Sequence, residues 1–348
     1  MEILWFCIVA FMLAMYVVLD GFDLGAGIIY LFAAKNDKER RTILNAIGPV
    51  WDGNEVWLLA AGGVLYFAFP QLYASSFSGF YLPLMIVLWL LMLRALGIEF
   101  RHRIHHPMWK NFWDVVFALG SILLAIFFGA ALGNVVRGVP LGADGYFFEP
   151  LWTTFTVVPN AGVLDWFTVV MGLVAFFTLM AHGSNFIAMK TEGDLQIRSR
   201  SAAGVAWWGV ALTSIIALIG TSSIHTWVWQ NYARYPLGYV FPLIALAGLA
   251  GMIYYNRTIR DGWAFASSSA FIAGMLSATA FSLFPHVLVA TTDPAYSLTV
   301  YNTIAHHYGL SVGIVWWIIG ILLALGYFAF MFFMHRGKIK LPAEGEGY

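Results

Sequence analysis

The chain has 348 residues, of which 61% are hydrophobic and only 10% are charged. Because soluble domains carry about a quarter of charged residues, this composition excludes a soluble protein, a disordered chain and a disulfide scaffold. It indicates an all-α integral membrane protein. The 18 basic and 18 acidic residues give a net charge of zero, so we expect no nucleic-acid partner. The single cysteine, Cys7, cannot form an internal disulfide or a thiolate metal site.

Nine apolar runs are long enough to cross a membrane, which takes about 20 helical residues for roughly 30 Å of hydrocarbon. They predict a single membrane domain, residues 1–348, with nine transmembrane helices. The predicted spans are about 3–32, 46–69, 77–98, 114–136, 162–184, 203–226, 239–255, 263–289 and 307–334. The stretch 56–93 carries no charge, and we expect Pro70 to divide it into two spans joined by a tight turn.

The basic residues predict how these spans are oriented. Fifteen of the 18 lie on one side of the predicted membrane, the last of them being Lys340. Only Arg137 and Arg234 lie on the other side, and Arg94 lies inside a span. Because Lys and Arg accumulate on the cytoplasmic side, the N-terminus is expected outside and the C-terminus in the cytoplasm. The longest outer loop, roughly 137–161, is short and nearly uncharged, so any chemistry is expected within the helices or at a contact with another chain.

Asp20 and Asp23 are the first ionisable residues inside a predicted span. They are three residues apart and therefore share one helix face. Ionisable residues within a membrane are functional candidates because their burial is costly. The alternative is a hydrated helix end at the cytoplasmic boundary, where the acids would pair with Arg40 or Arg41.

A second polar group opens the next predicted span. Asp52 and Glu55 lie three residues apart, with Asn54 between them and tryptophans at positions 51 and 57. This combination is not typical of a lipid-facing helix. It indicates a proton-conducting or ion-binding position, because buried carboxyl groups can take up and release protons. A buried, hydrogen-bonded helix start is the alternative.

A third polar group closes the third predicted span. Glu99 and Arg103 lie one turn apart and are able to pair. A cytoplasmic rim of extended basic side chains would explain Arg101 and Arg103 but explains Arg94 and Glu99 less well. If Arg94 and Glu99 face Asp52, they form a polar line from the cytoplasm into the membrane.

The nine histidines do not indicate a haem site in this chain. Membrane proteins often hold haem between histidines on facing helices, whereas here only His182 lies toward the inner end of a span. We therefore expect no haem and no metal to be held by this chain alone.

Several motifs together resemble subunit II of the cytochrome bd-type quinol oxidases, over nearly the whole chain. The motifs are Asp20-Gly21-Phe22-Asp23-Leu24-Gly25, Trp51-Asp52-Gly53-Asn54-Glu55-Val56-Trp57-Leu58, Phe77-Ser78-Gly79-Phe80-Tyr81, Arg94…Gly97…Glu99-Phe100-Arg101, Trp109…Asn111…Trp113-Asp114, Gly133-Asn134…Gly138-Val139-Pro140, Lys190-Thr191-Glu192-Gly193-Asp194-Leu195 and Asp293-Pro294-Ala295-Tyr296-Ser297-Leu298-Thr299.

The resemblance implies a fold of two four-helix bundles plus one extra helix. It also implies a pseudo-symmetric pair with subunit I in the bacterial or archaeal cytoplasmic membrane. In that family subunit I holds haem b and haem d, or a b haem in place of haem d. The complex oxidises quinol and reduces O₂ with cytoplasmic protons, generating proton motive force without pumping. Some members hold a structural quinone in subunit II, and small single-span subunits also occur.

The resemblance also implies roles for individual residues. Asp52 matches the acid proposed to lead protons toward the oxygen-reducing site. Glu99 and Arg103 would stand at the cytoplasmic start of this path, and Trp57 matches a tryptophan near a proposed oxygen entrance. Glu55 departs from relatives that carry Gln, which adds a titratable group beside Asp52.

Two other functions are considered beside the oxidase subunit. An ion-coupled secondary transporter would use Asp20, Asp52 and Glu55 as its coupling site and would contain inverted repeats, whereas charged spans occur almost only in the first half of this chain. A purely structural subunit would use the same acids only to stabilise its contact with a partner.

Overall fold

The computed structural model describes residues 1–339, and Lys340, one of the basic residues assigned to the cytoplasmic side, lies outside them. The described part is built almost entirely of α-helices, which confirms the all-α class. The helices are α1 (Glu2–Ala33), α2 (Asp37–Ile47), α3 (Trp51–Ala68), α4 (Pro70–Gly79), α5 (Tyr81–Phe100), α6 (Pro107–Arg137), α7 (Trp166–Lys190), α8 (Gly193–Ile224), α9 (Gln230–Arg234), α10 (Val240–Arg257), α11 (Asp261–Leu283) and α12 (His307–Met334). Two short antiparallel strands, β1 (His286–Leu288) and β2 (Leu298–Thr299), precede α12.

Eight helices of the described part are long and apolar enough to cross a membrane. They are α1, α5, α6, α7, α8, α10 with the turn before it, α11 and α12. The chain is therefore a multi-pass membrane protein. Helix α3 is not among the eight, because Asp52, Asn54 and Glu55 make its first turns polar and lower its hydropathy. The ninth predicted span, 46–69, stays a prediction.

Several predicted boundaries are wrong. Residues 46–47 end α2, a separate helix that Asn36 caps by accepting a hydrogen bond from the Glu39 amide at 2.9 Å. The predicted tight turn after 69 is instead helix α4. Proline is well suited to a first helical turn, where its missing N–H leaves no hydrogen bond unmade, so Pro70 starts a new helix. The last part of the predicted span 263–289 forms β1.

Helix α1 is the centre of the packing. It contacts α3, α6, α7 and α11. Its closest approach is to α7, where a Cβ added to Gly183 would lie 2.2 Å from the carbonyl carbon of Gly25, so only glycine fits. Next to this contact the rings of Phe22 and Phe186 stack with their centroids 4.0 Å apart.

The long helices form two groups, which are joined where α1 and α6 pack on α7. Helices α3 and α6 pack on α1, and α5 packs on α6; in the second group α8 and α11 pack on α7, and α10 packs on both α8 and α11. Helix α12 lies beside the first group, with Phe328 against Trp57 at 5.6 Å between ring centroids. Only Leu310 of α12 is buried, so nearly the whole helix is exposed on the isolated chain.

The two ends of this helix assembly are named after α1. We call the end at which α1 begins the outer end and the end at which it finishes the inner end, following the predicted orientation. The inner end carries α2 and the loop between α5 and α6. The outer end carries the loop of residues 138–165, β1 and β2, which the structure joins through the Val139 amide donating to the Val289 carbonyl at 2.9 Å.

Candidate functional site

A buried arginine joins the first three long helices of the chain. The Arg94 guanidinium on α5 is fully buried. Its Nη1 donates to Asp20 Oδ1 on α1 at 2.6 Å, and its Nη2 donates to Glu55 Oε2 on α3 at 2.7 Å. A guanidinium suits this position because its planar fork can bind two carboxylates at once.

A second contact lies one helical turn along α1. Asn54 Nδ2 donates to Asp23 Oδ2 at 2.8 Å and, at 3.3 Å, to the backbone carbonyl of Leu19. Asp23 and Asn54 are both fully buried. We call Asp20, Asp23, Asn54, Glu55 and Arg94 the inner cluster.

The contacts of the inner cluster contradict two interpretations drawn from the sequence, those of Asp20 and Arg94. Asp20 is fully buried and bound to Arg94, so it is not a hydrated helix end paired with Arg40. Arg94 faces Glu55 rather than Asp52. The spacing of Asp52 and Glu55 along α3 could not show which of them binds Arg94. In the structure Glu55 faces α5 and Asp52 is exposed.

The inner cluster has unused polar atoms. Asp20 Oδ2, Asp23 Oδ1, Asn54 Oδ1 and Arg94 Nε are buried and have no hydrogen-bond partner among the described residues. Leaving such atoms unpaired costs about 1–3 kcal/mol each, so all four are suited to bind water, and the two carboxylate oxygens can also accept a proton. With three carboxyl groups around one guanidinium, the cluster can hold a proton as well as two ion pairs.

Asp52 connects this region to the surface. It lies on α3 one turn before Glu55 and is exposed on the isolated chain. The Glu55 side chain is 26% exposed, so the buried ion pair opens toward the same surface. Trp57 is buried, with its ring against Phe328 of α12 and 6.3 Å from that of Phe11.

The inner rim is more ordered than expected. Arg101 is buried, donating from Nε to Asp114 at 2.5 Å and from Nη2 to Asp37 at 2.7 Å. The interpretation of Arg101 as an extended surface side chain is therefore wrong. Asp114 also accepts hydrogen bonds from the Tyr30 hydroxyl at 2.6 Å and from Arg40 at 2.7 Å.

Charged partners at this rim also act on Asp37. Partial burial by itself would raise the pKa of Asp37, but hydrogen bonds from Arg101 and Lys110 outweigh burial and lower it. Glu99 is half-buried at the end of α5, and Arg103 is exposed in the following loop. These two predicted residues therefore lie at the inner end of α5, and their role in a proton path stays a prediction.

The outer end contains a second buried arginine, which the sequence pattern did not predict. Arg137 Nη2 donates to Glu149 Oε1 at 2.6 Å and to Asn134 Oδ1 at 2.7 Å. Its Nη1 donates to the carboxylate of Asp165 and, at 2.9 Å, to the backbone carbonyl of Gly162. All four side chains are buried. We call Asn134, Arg137, Glu149 and Asp165 the outer cluster.

The two acids of the outer cluster differ in their partners. Asp165 caps α7, accepting hydrogen bonds from the amides of Phe167 and Thr168 at 2.8 and 2.9 Å. Glu149 has only its contact with Arg137, and its Oε2 has no partner among the described residues. Burial raises the pKa of Glu149 to about 7, although Arg137 opposes this rise. The feature of the sequence that could have indicated this cluster is Arg137, one of the two basic residues predicted on the outer side.

The histidine that was predicted toward the inner end of a span, His182, has no ring nitrogen left to bind a haem. His182 is fully buried between α1 and α11. Its Nε2 lies 2.8 Å from the Val18 carbonyl and its Nδ1 lies 2.7 Å from Ser268 Oγ, so both ring nitrogens are engaged. Within residues 1–339 no three His, Cys, Asp or Glu side chains are grouped so that they could hold a metal ion.

Comparison with known proteins agrees with this architecture. A family model described as cytochrome bd terminal oxidase subunit II matches residues 1–335. Cytochrome bd ubiquinol oxidase subunit 2 of Bacillus subtilis is 34% identical, over 89% of this chain and 88% of its own length. Cytochrome bd-I ubiquinol oxidase subunit 2 of Escherichia coli is 29% identical, over 97% and 95%.

A solved structure shows the same fold. A chain of the bd oxidase from Geobacillus thermodenitrificans superimposes with a TM-score of 0.73 at 17% sequence identity, covering 96% of this chain and 98% of that chain. The match to the family model extends over nearly all of the described residues, so it includes both buried arginine clusters. The chain therefore belongs to the cytochrome bd terminal oxidase subunit II family.

Proposed function

We propose that this chain is subunit II of a cytochrome bd-type quinol:O₂ oxidoreductase in the cytoplasmic membrane of a bacterium or archaeon. Family membership and the names of the relatives support this proposal. In it the chain pairs pseudo-symmetrically with a haem-bearing subunit I, and small single-span subunits attach to the pair. Helix α3 is the ninth span, with the N-terminus outside and the C-terminus in the cytoplasm.

The redox groups of the complex are assigned to the partner. We place haem b, and haem d or a second b haem, in subunit I by the resemblance, and the engagement of both ring nitrogens of His182 supports this placement. When bound, these haems carry electrons from quinol to O₂. A structural quinone in this subunit is part of the proposal by resemblance alone. What this chain contributes to the reaction is a scaffold and a path for protons.

The exposed position of Asp52 is the observation that carries the proton path. A carboxyl group on a membrane-facing surface would be costly in contact with lipid. The exposed position of this carboxyl group becomes favourable where a polar surface of another subunit covers it. Because Asp52 lies one turn from Glu55 on α3, it is suited to pass a proton from this chain to a covering subunit I.

The inner rim provides the other end of the path. Glu99 and Arg103 lie at the inner end near Arg101, where protons from the cytoplasm would enter. From this rim, protons would pass along the inner cluster, whose unused polar atoms can bind water, to Glu55 and Asp52.

The remaining residues of the inner cluster hold this path in place. Arg94 positions Asp20 and Glu55 through two hydrogen bonds and compensates their charge. Asn54 positions Asp23. Trp57, between α3 and α12, is the candidate for a lateral oxygen entrance, where its bulk would decide what passes between these helices.

The substitution Asp52→Asn tests the proton path. We expect quinol-driven O₂ consumption by the purified complex to fall about tenfold or more, because proton transfer by a positioned acid typically contributes 10²-fold or more. The haem absorption spectrum should not change. The matched control is Asp144→Asn, which changes an exposed acid in the outer loop. Full turnover by an assembled Asp52→Asn complex would contradict the proposal.

A purely structural role of the acids is the main competing function, and the two ion pairs of the buried Arg94 favour it. A structural role predicts that Asp52→Asn reduces the yield of the complex while leaving the turnover of each assembled complex unchanged. An ion-coupled transporter predicts solute uptake by the chain without haem. Measuring yield, haem content and turnover on the same preparation separates the three functions.

A further inference from the structure

The loop of residues 138–165 at the outer end is held to the helices by the side chain of Arg137. This guanidinium donates to Asn134 on its own helix, to Glu149 inside the loop and to Asp165 where the loop meets α7. It also donates to the Gly162 carbonyl of the loop. One side chain therefore fixes the middle and the end of the loop to the end of α6.

Further contacts join the same loop to β1 and the segment that follows it. The Thr291 amide donates to the Val139 carbonyl at 2.9 Å. The Thr291 hydroxyl donates to the Pro159 carbonyl at 2.6 Å. Release of the loop would therefore also free the segment that leads to α12.

The charges of the outer cluster do not balance when both acids are ionised. One guanidinium then faces two carboxylates, all of them buried. Two backbone amides also donate to the Asp165 carboxylate. Glu149 has no such support and retains a buried, unpartnered oxygen.

Neighbouring titratable groups add no compensating charge. His225 Nε2 lies 2.8 Å from the backbone carbonyl of Arg137, and His286 lies beyond it, with its ring 5.1 Å from that of Trp227. Burial lowers the pKa of both histidines below its ordinary value, so both are neutral at pH 7. Protonation of Glu149 is therefore what can remove the excess negative charge of the cluster.

We propose that the outer cluster is a pH-sensitive fastening of the 138–165 loop, in which a proton on Glu149 keeps the loop closed. With the proton bound, the cluster contains one positive and one negative charge and Glu149 remains hydrogen-bonded to Arg137. Without it, an excess negative charge is buried, and the loop gains by opening to hydrate Glu149. Acidification of the outer face, which accompanies proton motive force, would tighten the loop.

The sign of the pH dependence follows from linkage. The pKa of Glu149 in the closed loop is about 7, above the 4.5 of an unburied glutamate, so the closed loop binds the proton more tightly. The stabilisation is complete below pH 4.5 and is lost as the pH rises through 7. One extra proton in the closed form corresponds to an opening equilibrium that rises about tenfold per pH unit in this interval.

Hydrogen exchange of the purified complex, followed by mass spectrometry between pH 5 and 8, tests this proposal. Three amides that donate to loop carbonyls report on closure: those of Val163, Leu164 and Trp166, the first residue of α7, which donate to Pro150, Leu151 and Phe155. After correction for intrinsic exchange, their opening should increase about tenfold per pH unit up to pH 7 and then level off. Opening that does not depend on pH would overturn the proposal.

Two variants assign the effect to Glu149. In Glu149→Gln the amides should stay protected at every pH, whereas the control Asp144→Asn should keep the wild-type profile. In Asp165→Asn, which can still cap α7, the profile should move to lower pH because Glu149 then faces Arg137 alone. The wild-type slope persisting in Glu149→Gln would overturn the assignment. If that variant does not assemble, an unshifted Asp165→Asn profile overturns it.

Discussion

The inner and outer clusters solve the same problem in different surroundings. Each buries one arginine against two carboxylates and contains one asparagine, Asn54 in the inner cluster and Asn134 in the outer. The inner cluster joins three long helices and reaches the surface through Glu55 and Asp52. The outer cluster joins helix ends to a loop, and all its members are buried. Similar ion pairs are therefore suited to conduct protons in one place and to fasten a loop in the other.

The two clusters have similar residues but differ in how easily water and other groups reach their carboxyl groups. A buried carboxyl group takes part in proton transfer only if neighbouring groups or water can reach it. Glu55 is partly exposed beside the exposed Asp52, whereas Glu149 is enclosed by its loop. Substitutions at equivalent positions of the two clusters should therefore have different consequences.

The largest expected effect is that of Arg94→Leu. This change leaves Asp20 and Glu55 without their partner between α1, α3 and α5, and removal of one member of a buried pair costs about 3–5 kcal/mol. We expect little assembled complex, measured as haem-containing material after size-exclusion chromatography. The control is Arg257→Leu at an exposed helix end. Normal assembly of Arg94→Leu would show that the inner cluster does not support the fold.

A smaller effect is expected from Arg137→Leu, the equivalent change in the outer cluster. Here the unpaired acids lie at a loop that can open locally, so the helices need not separate. We expect the complex to assemble, while protection of the loop amides falls by about 1–3 kcal/mol. Hydrogen exchange in peptides from residues 138–165, compared with α6, measures this. A loss of assembly equal to that of Arg94→Leu would remove the distinction between the clusters.

The smallest effect is expected from Glu55→Gln. Glutamine can still accept the Arg94 hydrogen bond, and exchanging a charged for a neutral acceptor changes its strength by about 1 kcal/mol. The thermal unfolding midpoint should change little. Turnover should fall less than in Asp52→Asn, because Asp52 and the other acids remain. A larger fall in turnover than that of Asp52→Asn would make Glu55, rather than Asp52, the main proton-carrying group.

Hydropathy predicted the long helices well, because an apolar run that crosses lipid must bond its own backbone polar groups and therefore forms a helix. The range 307–334 agrees with α12, and 3–32 differs from α1 by one residue at each end. Hydropathy could not predict α4, because Pro70 is equally compatible with a turn and with the first turn of a helix. It also missed β1, whose pairing with β2 depends on residues 10 and 13 positions further along the chain.

The acids were easier to find than their partners. Asp20, Asp23 and Glu55 stood out because charges are rare in this sequence, but spacing along one helix cannot say which other helix faces them. The outer cluster was missed for the same reason. Glu149 lies in a segment without periodicity, and its contact with Arg137 exists only because the loop folds back onto the end of α6.

Proton uptake by the complex tests the central claim most directly. The fully reduced complex is mixed with O₂, and the uptake of protons is followed with a pH-indicator dye while the haem absorbance reports electron transfer. In Asp52→Asn we expect proton uptake to be about tenfold slower or more, whereas Asp144→Asn should match the wild type. Uptake at the wild-type rate in an assembled Asp52→Asn complex would contradict the account of a proton path through the α3 acids.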